Sequence, residues 1–170
     1  GELPEAQFNL GVMYAAGRGV SRDVSAAAGW FKLAADQGLA EAQHAIGTLH
    51  LTGRGVNQDV KVAIYWLRQA ADQHYAAAEF NLGVLHEYGR GVPRSLSKAR
   101  KWYERAEENG FESATVRLAS LDKRIADAKA GRKSEDKQAS EASPSANKAN
   151  TASQVDGRAA LEGLDSERFV

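Results

Sequence analysis

Along most of the chain, small and large apolar residues fall at helical spacing, and polar residues fill the positions between them. Ala6, Leu10, Gly11 and Tyr14 share one face of a helix predicted over roughly Glu5 to Ala16, with copies opening at Glu41 and Ala77. Gly17 stops the first copy, because a glycine just past a helix end takes the left-handed conformation without a Cβ clash. Asp23, with Asp59 and Ser95 in the copies, stands where an N-cap side chain meets the free amides of a second helix. That second helix carries Ala27, Trp30, Phe31 and Ala34 on one face.

The helix pair returns twice. Trp30, Trp66 and Trp102 lie 36 residues apart, and Gly17-Arg18-Gly19 recurs as Gly53-Arg54-Gly55 and Gly89-Arg90-Gly91. The same register aligns Leu10, Ile46 and Leu82, then Gly11, Gly47 and Gly83, and the alanines at 27, 63 and 99. Matches at this many positions predict an all-α solenoid of about three helix-pair repeats, over about 5–40, 41–76 and 77–111. Leu118, Leu121, Ile125 and Ala128 then continue among Lys123, Arg124, Asp127 and Lys129, as expected of a C-terminal capping helix over about 112–130. Beyond Gly131 large apolar residues nearly vanish, so 131–170 reads as a low-complexity tail, disordered over 131–157. Ala159, Ala160, Leu161 and Leu164 suit a short helix there, and a loose tail or a docking peptide are its two readings. Gly1-Glu2-Leu3-Pro4-Glu5-Ala6 matches the inter-repeat junction Gln37-Gly38-Leu39-Ala40-Glu41-Ala42 in register. The expectation is therefore that the chain is the C-terminal part of a longer protein.

The motif built from Leu10-Gly11, Tyr14, Gly17-Arg18-Gly19-Val20, Asp23, Ala27, Trp30, Ala34-Ala35 and Glu41-Ala42 resembles the Sel1-like repeat family, relatives of tetratricopeptide repeats. The resemblance extends over about residues 2 to 119. It departs from the pattern at His50 and His86, where the family has Tyr, and at His74, which stands where the first repeat has Gly38. The resemblance implies an α/α superhelix that serves as an adaptor or scaffold, in a bacterial protein of the periplasm or the cell exterior.

Composition removes several function classes. Without cysteine there is no disulfide, no Cys-ligated zinc and no thiol catalysis, although this fits an exported and a cytosolic protein equally. Net charge is zero, which gives no field to gather nucleic acid or an anionic membrane. No apolar run approaches the roughly 20 residues that a membrane-spanning helix needs. His50 and His86 occupy equivalent positions, but no further ligand joins them at zinc spacing, so both read as packing residues and no metal is expected. The Gly-Arg-Gly loops lack the preceding strand and following Lys-Ser or Lys-Thr of a phosphate cradle, and their arginines read as structural. No nucleophile elbow or carboxylate pair appears, so no catalytic residue and no cofactor is assigned.

Binding is what remains. The outward positions of the first helices are expected to line the concave face, and they supply the candidate partner site: Phe8, Asn9 and Val12, then His44 and Thr48, then Phe80, Asn81, Val84, Glu87 and Tyr88. Asn9 and Asn81 can bond a partner's backbone as donor and acceptor. None of these helices carries Lys or Arg, which argues against a carboxylate clamp, a phosphopeptide or nucleic acid. The expected function is a protein-interaction scaffold that takes a protein or peptide on this face, centred on His44 and Phe80. The alternatives are a structural spacer in an envelope or signalling assembly and, more remotely, a hydrolase. For Phe8 and Phe80 the competing reading is packing between repeats.

Overall fold

The computed structural model describes residues 3–141, with side chains through residue 135. Seven α-helices are described: α1 Pro4–Ala16, α2 Val24–Asp36, α3 Ala40–Thr52, α4 Val60–Asp72, α5 Ala76–Tyr88, α6 Leu96–Glu108 and α7 Glu112–Glu141. The chain divides into two units, Gly1–Ile125 and Ala126–Val170. Each first helix opens one residue earlier than the apolar pattern indicates, with Pro4 pre-set for the first turn of α1.

Local chemistry fixes the helix ends. Asp23 accepts from the amides of Ser25 and Ala26 at 2.9 and 3.0 Å, Asp59 repeats this at Lys61 and Val62, and Ser95 accepts from Lys98. The first helices close on Gly17, Gly53 and Gly89, each at positive φ and each donating its amide to the carbonyl four residues earlier.

Three apolar clusters hold the first unit together, and each lies in the seam between one repeat and the next. Ala27, Ala28, Phe31, Ala34 and Ala35 of α2 pack on Ala42 and Ile46 of α3. Ile64, Leu67, Ala70 and Ala71 of α4 pack on Ala78, Leu82 and Leu85 of α5. Tyr103 and its alanine neighbours in α6 pack on Ala114, Leu118 and Leu121 of α7. The tryptophans are half-buried covers of these seams: Trp66 lies on the first cluster and Trp102 on the second.

Two expectations need correction. The capping helix runs to Glu141, past the expected end at residue 130. Loss of apolar residues after Ile125 was the reason to end it, but a solvated helix needs no apolar face. Apart from Gly131, this stretch consists largely of Ala, Lys, Arg, Glu, Asp and Gln, which are mostly good helix formers. Residues 131–141 are thus helical, and the rest of the expected tail, with its short helix near 159–164, lies outside the described residues.

The second loop glycine has a role the spacing did not reveal. Gly55 has φ 72°, and a Cβ there would stand 2.6 Å from the Val24 carbonyl oxygen of the preceding repeat. At Gly19, with φ 73°, the nearest atom is Met13 Cε at 3.7 Å. Gly19→Ala should therefore cost about 1 kcal/mol from φ alone, whereas Gly55→Ala adds a backbone collision worth about 1–3 kcal/mol more. Arg54→Ala, at an exposed site, should cost clearly less than either. Urea unfolding of the three variants checks the order, and Arg54→Ala ranking worst would mean the guanidinium holds the loop.

Candidate functional site

Where α3 and α5 run side by side, their outward residues and the loops that follow them enclose a cleft of about 690 Å³. Thr48, Leu51 and Thr52 form its α3 wall, and Asn81, Val84 and Leu85 its α5 wall. Gln58 and Val60 close one end, with Arg90 and Gly91 from the next loop beside them. Of the sequence-derived candidates, Thr48, Asn81 and Val84 meet here. Their hydrogen bonds orient the site. Thr48 Oγ1 donates to the His44 carbonyl at 2.9 Å, and Gln58 Nε2 donates to the Leu51 carbonyl at 2.7 Å.

His44 adjoins this group rather than standing free. The Asn81 amide lies 3.0 Å from His44 Nε2, a hydrogen bond that fixes the two side chains against one another. The His44 ring also packs on Tyr75 at 5.2 Å between centroids. Burial holds the His44 pKa below its ordinary value, and burial together with the Glu41 carboxylate raises that of Tyr75.

The remaining candidates divide. Phe8, Asn9 and Val12 belong to α1 and do not line the cleft. The Phe8 ring lies 5.4 Å from Phe31, and Phe80 lies 5.2 Å from Tyr103 and 4.8 Å from Phe111, so packing accounts for both. Phe80 also borders a second depression of about 430 Å³ between α5 and α7, with Ser113, Val116, Arg117 and Ser120. Glu87 is a correction: it is 2 % exposed, turned into the protein rather than outward. Its Oε2 accepts from Tyr103 Oη at 2.7 Å, and its Oε1 pairs with Arg124. Such a carboxylate is retained in the interior only because charged and hydroxyl donors meet it. Burial, and then the Glu87 carboxylate, raise the Tyr103 pKa. Tyr88 is exposed and receives the Arg117 guanidinium at its ring and hydroxyl.

Sequence reasoning passed over a set of side-chain bonds in which exposed amides at the helix ends meet buried acceptors. Gln37 donates to Gln7 Oε1 at 2.7 Å and Gln73 to Gln43 Oε1 at 2.8 Å, while Asn109 donates to Glu79 Oε2 at 2.8 Å. Each bond ties the end of a repeat's second helix to its first helix. The signal was available, since both partners repeat at 36 residues. In the third repeat Arg105 also pairs with Glu79 at 2.9 Å and stacks on Trp102.

The histidines that resembled ligands sit at the helix–loop junctions. His50 Nδ1 lies 3.1 Å from the Asn57 carbonyl oxygen, and His86 is 7 % exposed. Among the described residues no group of three or more His, Asp or Glu side chains could hold a metal, and no helix is long and apolar enough to cross a membrane. Burial lowers the His86 pKa, and the nearby Lys98 and Arg68 charges add to it. A lowered imidazole pKa means the unfolded chain binds the proton more readily. The linked stability is then full above about pH 6.5 and is lost as pH falls through the folded-state pKa. In an NMR titration of the imidazole C–H signals, His44 and His86 should titrate below about pH 6.5, with the melting temperature falling over the same window. Midpoints at or above that value would show that neither ring is held neutral.

With this geometry in hand, the comparisons have a physical basis. The Sel1 repeat family model matches residues 4–39, 40–75 and 76–111. No functionally curated protein matches the sequence significantly. Among solved structures, a Sel1 repeat protein from Oxalobacter formigenes is 37% identical with a TM-score of 0.66, the match covering 68% of this chain and 47% of that one. The structure of c5321, described as a protective antigen present in uropathogenic Escherichia coli strains and displaying an SLR fold, is 34% identical with a TM-score of 0.69, over 71% of this chain and 26% of that one. The chain thus spans less than half the length of either. Sel1 repeat proteins are generally helical scaffolds for protein interaction. The repeat register, the seams it builds and these matches show that the chain belongs to the Sel1 repeat family.

Proposed function

We propose that this protein is a non-catalytic scaffold that holds a protein or peptide on the inner, concave face of its first helices. The partner enters at the cleft between α3 and α5. The observation that carries this is the convergence of Thr48, Asn81 and Val84 on one cleft, with Leu51 and Val60 adding apolar lining. The arrangement joins an apolar slot to a few oriented polar groups, which suits an extended peptide or a helix edge. His44 keeps Asn81 in one orientation, which lowers the entropy lost on binding. We also propose, from the family alone, that the protein works in the periplasm or outside the cell, which cell fractionation checks.

A photo-crosslinking residue at Val84 should capture a specific partner in native extract, whereas the same residue at Tyr65, 56% exposed on α4, should not. Asn81→Ala and Val84→Asp should each weaken the captured complex about tenfold, with circular dichroism unchanged. Capture from position 65 alone would move the site to the second helices. No capture from either position would favour a structural spacer.

A further inference from the structure

The inner-face clefts differ from the sequence-based picture in one respect. No first helix among α1, α3 and α5 has a Lys or Arg, yet each cleft has acquired one guanidinium from elsewhere. Arg90 reaches the α3–α5 cleft from the loop after α5, and Arg117 reaches the α5–α7 cleft from the capping helix. Its loop equivalent Arg54 does not line the α3–α5 cleft. Among the described residues no carboxylate lines either cleft.

Neither guanidinium is saturated within the fold, although Arg117 also stacks on the Tyr88 ring at 6.0 Å. Arg90 is exposed. Arg117 touches Tyr88 Oη at 3.4 Å and stands 4.0 Å from Glu87, both long for a committed bond. Glu87 is already held by Tyr103 and Arg124. Around the two cations the walls are apolar, Leu51, Val60 and Val84 on one side and Phe80 and Val116 on the other. A carboxylate received beside such walls makes a charge-assisted hydrogen bond while its apolar neighbours cover the walls.

Resting on the inner-face reading above, we propose that the occupant is an acidic extended peptide segment, one Asp or Glu side chain meeting Arg90 and a second meeting Arg117, with apolar side chains in the clefts between. Two separate cations call for two carboxylates, more than a terminal α-carboxylate alone supplies. One cation per cleft, with no cluster, also suits a carboxylate better than the phosphates of a nucleic acid. The partner motif is therefore an extended segment with two acidic residues, separated by the apolar side chains that fill the clefts.

The test uses the full chain on an array of random twelve-residue peptides, amidated at the C-terminus and including phosphoserine in the alphabet. Bound peptides should be enriched in two Asp or Glu residues separated by apolar ones. Arg90→Gln and Arg117→Gln should each weaken them about fivefold or more, Arg117→Lys should recover part of the loss, and Arg54→Gln should change nothing. Binders without acidic preference that are still lost in Val84→Asp would overturn this proposal and leave the inner-face site standing. Binders indifferent to Val84→Asp, or no binders, would overturn both. Preference for phosphoserine over Asp and Glu would overturn the carboxylate assignment.

Discussion

Packing at the seams between repeats is the constraint on which the rest of the first unit depends. Each repeat packs its second helix on its own first helix and buries the remaining apolar face under the first helix of its successor. Close approach is possible because the contact positions are alanine, with Ala27, Ala34, Ala63, Ala70 and Ala99 all at 0% exposure. A larger side chain at these positions would force the helices apart, and overpacking of this kind propagates because interiors are close-packed. Within a repeat the same logic holds at Gly83, where an added Cβ would meet the Tyr103 ring at 2.5 Å. The volume the alanines leave is filled by large residues such as Phe31, Leu67 and Tyr103, one from each second helix, together with Ile46 and Leu82.

Once the seams fix the stack, polar contacts set its fine register. Arg22, Gln58 and Arg94 each donate to a carbonyl seven residues back, at the open C-terminal end of the first helix. Such carbonyls lack intrahelical partners and need a donor. The amide pairs do the corresponding work at the other end of the repeat. In the third repeat, neutral pairs give way to the buried carboxylates Glu79 and Glu87, met by Arg105 and by Arg124 with Tyr103. A buried ion pair adds little net stability but is costly to break, so it fixes which surface α7 may cover.

That arrangement bears on binding. With Glu87 held by Tyr103 and Arg124, its contact with Arg117 is the longer one at 4.0 Å. With His44 and Asn81 bonded to one another, its polar groups stay oriented before any partner arrives. The cleft is thus a by-product of how repeats stack, shaped afterwards by which residues the loops and the capping helix present.

The sequence by itself determined the repeat length, the helix pairs, the N-caps at Asp23, Asp59 and Ser95, and the stop glycines, because each depends on neighbours a few residues away. It also put Thr48, Asn81 and Val84 on one surface, since their positions follow from helical register. Tertiary structure alone decided what lies against each side chain. Period and spacing cannot tell that Phe80 faces Tyr103 and Phe111, that Glu87 turns inward to meet Arg124, or that Gly55 lies against Val24. These contacts join residues far apart in the chain, and their geometry is fixed by how closely the alanine seams let the helices approach.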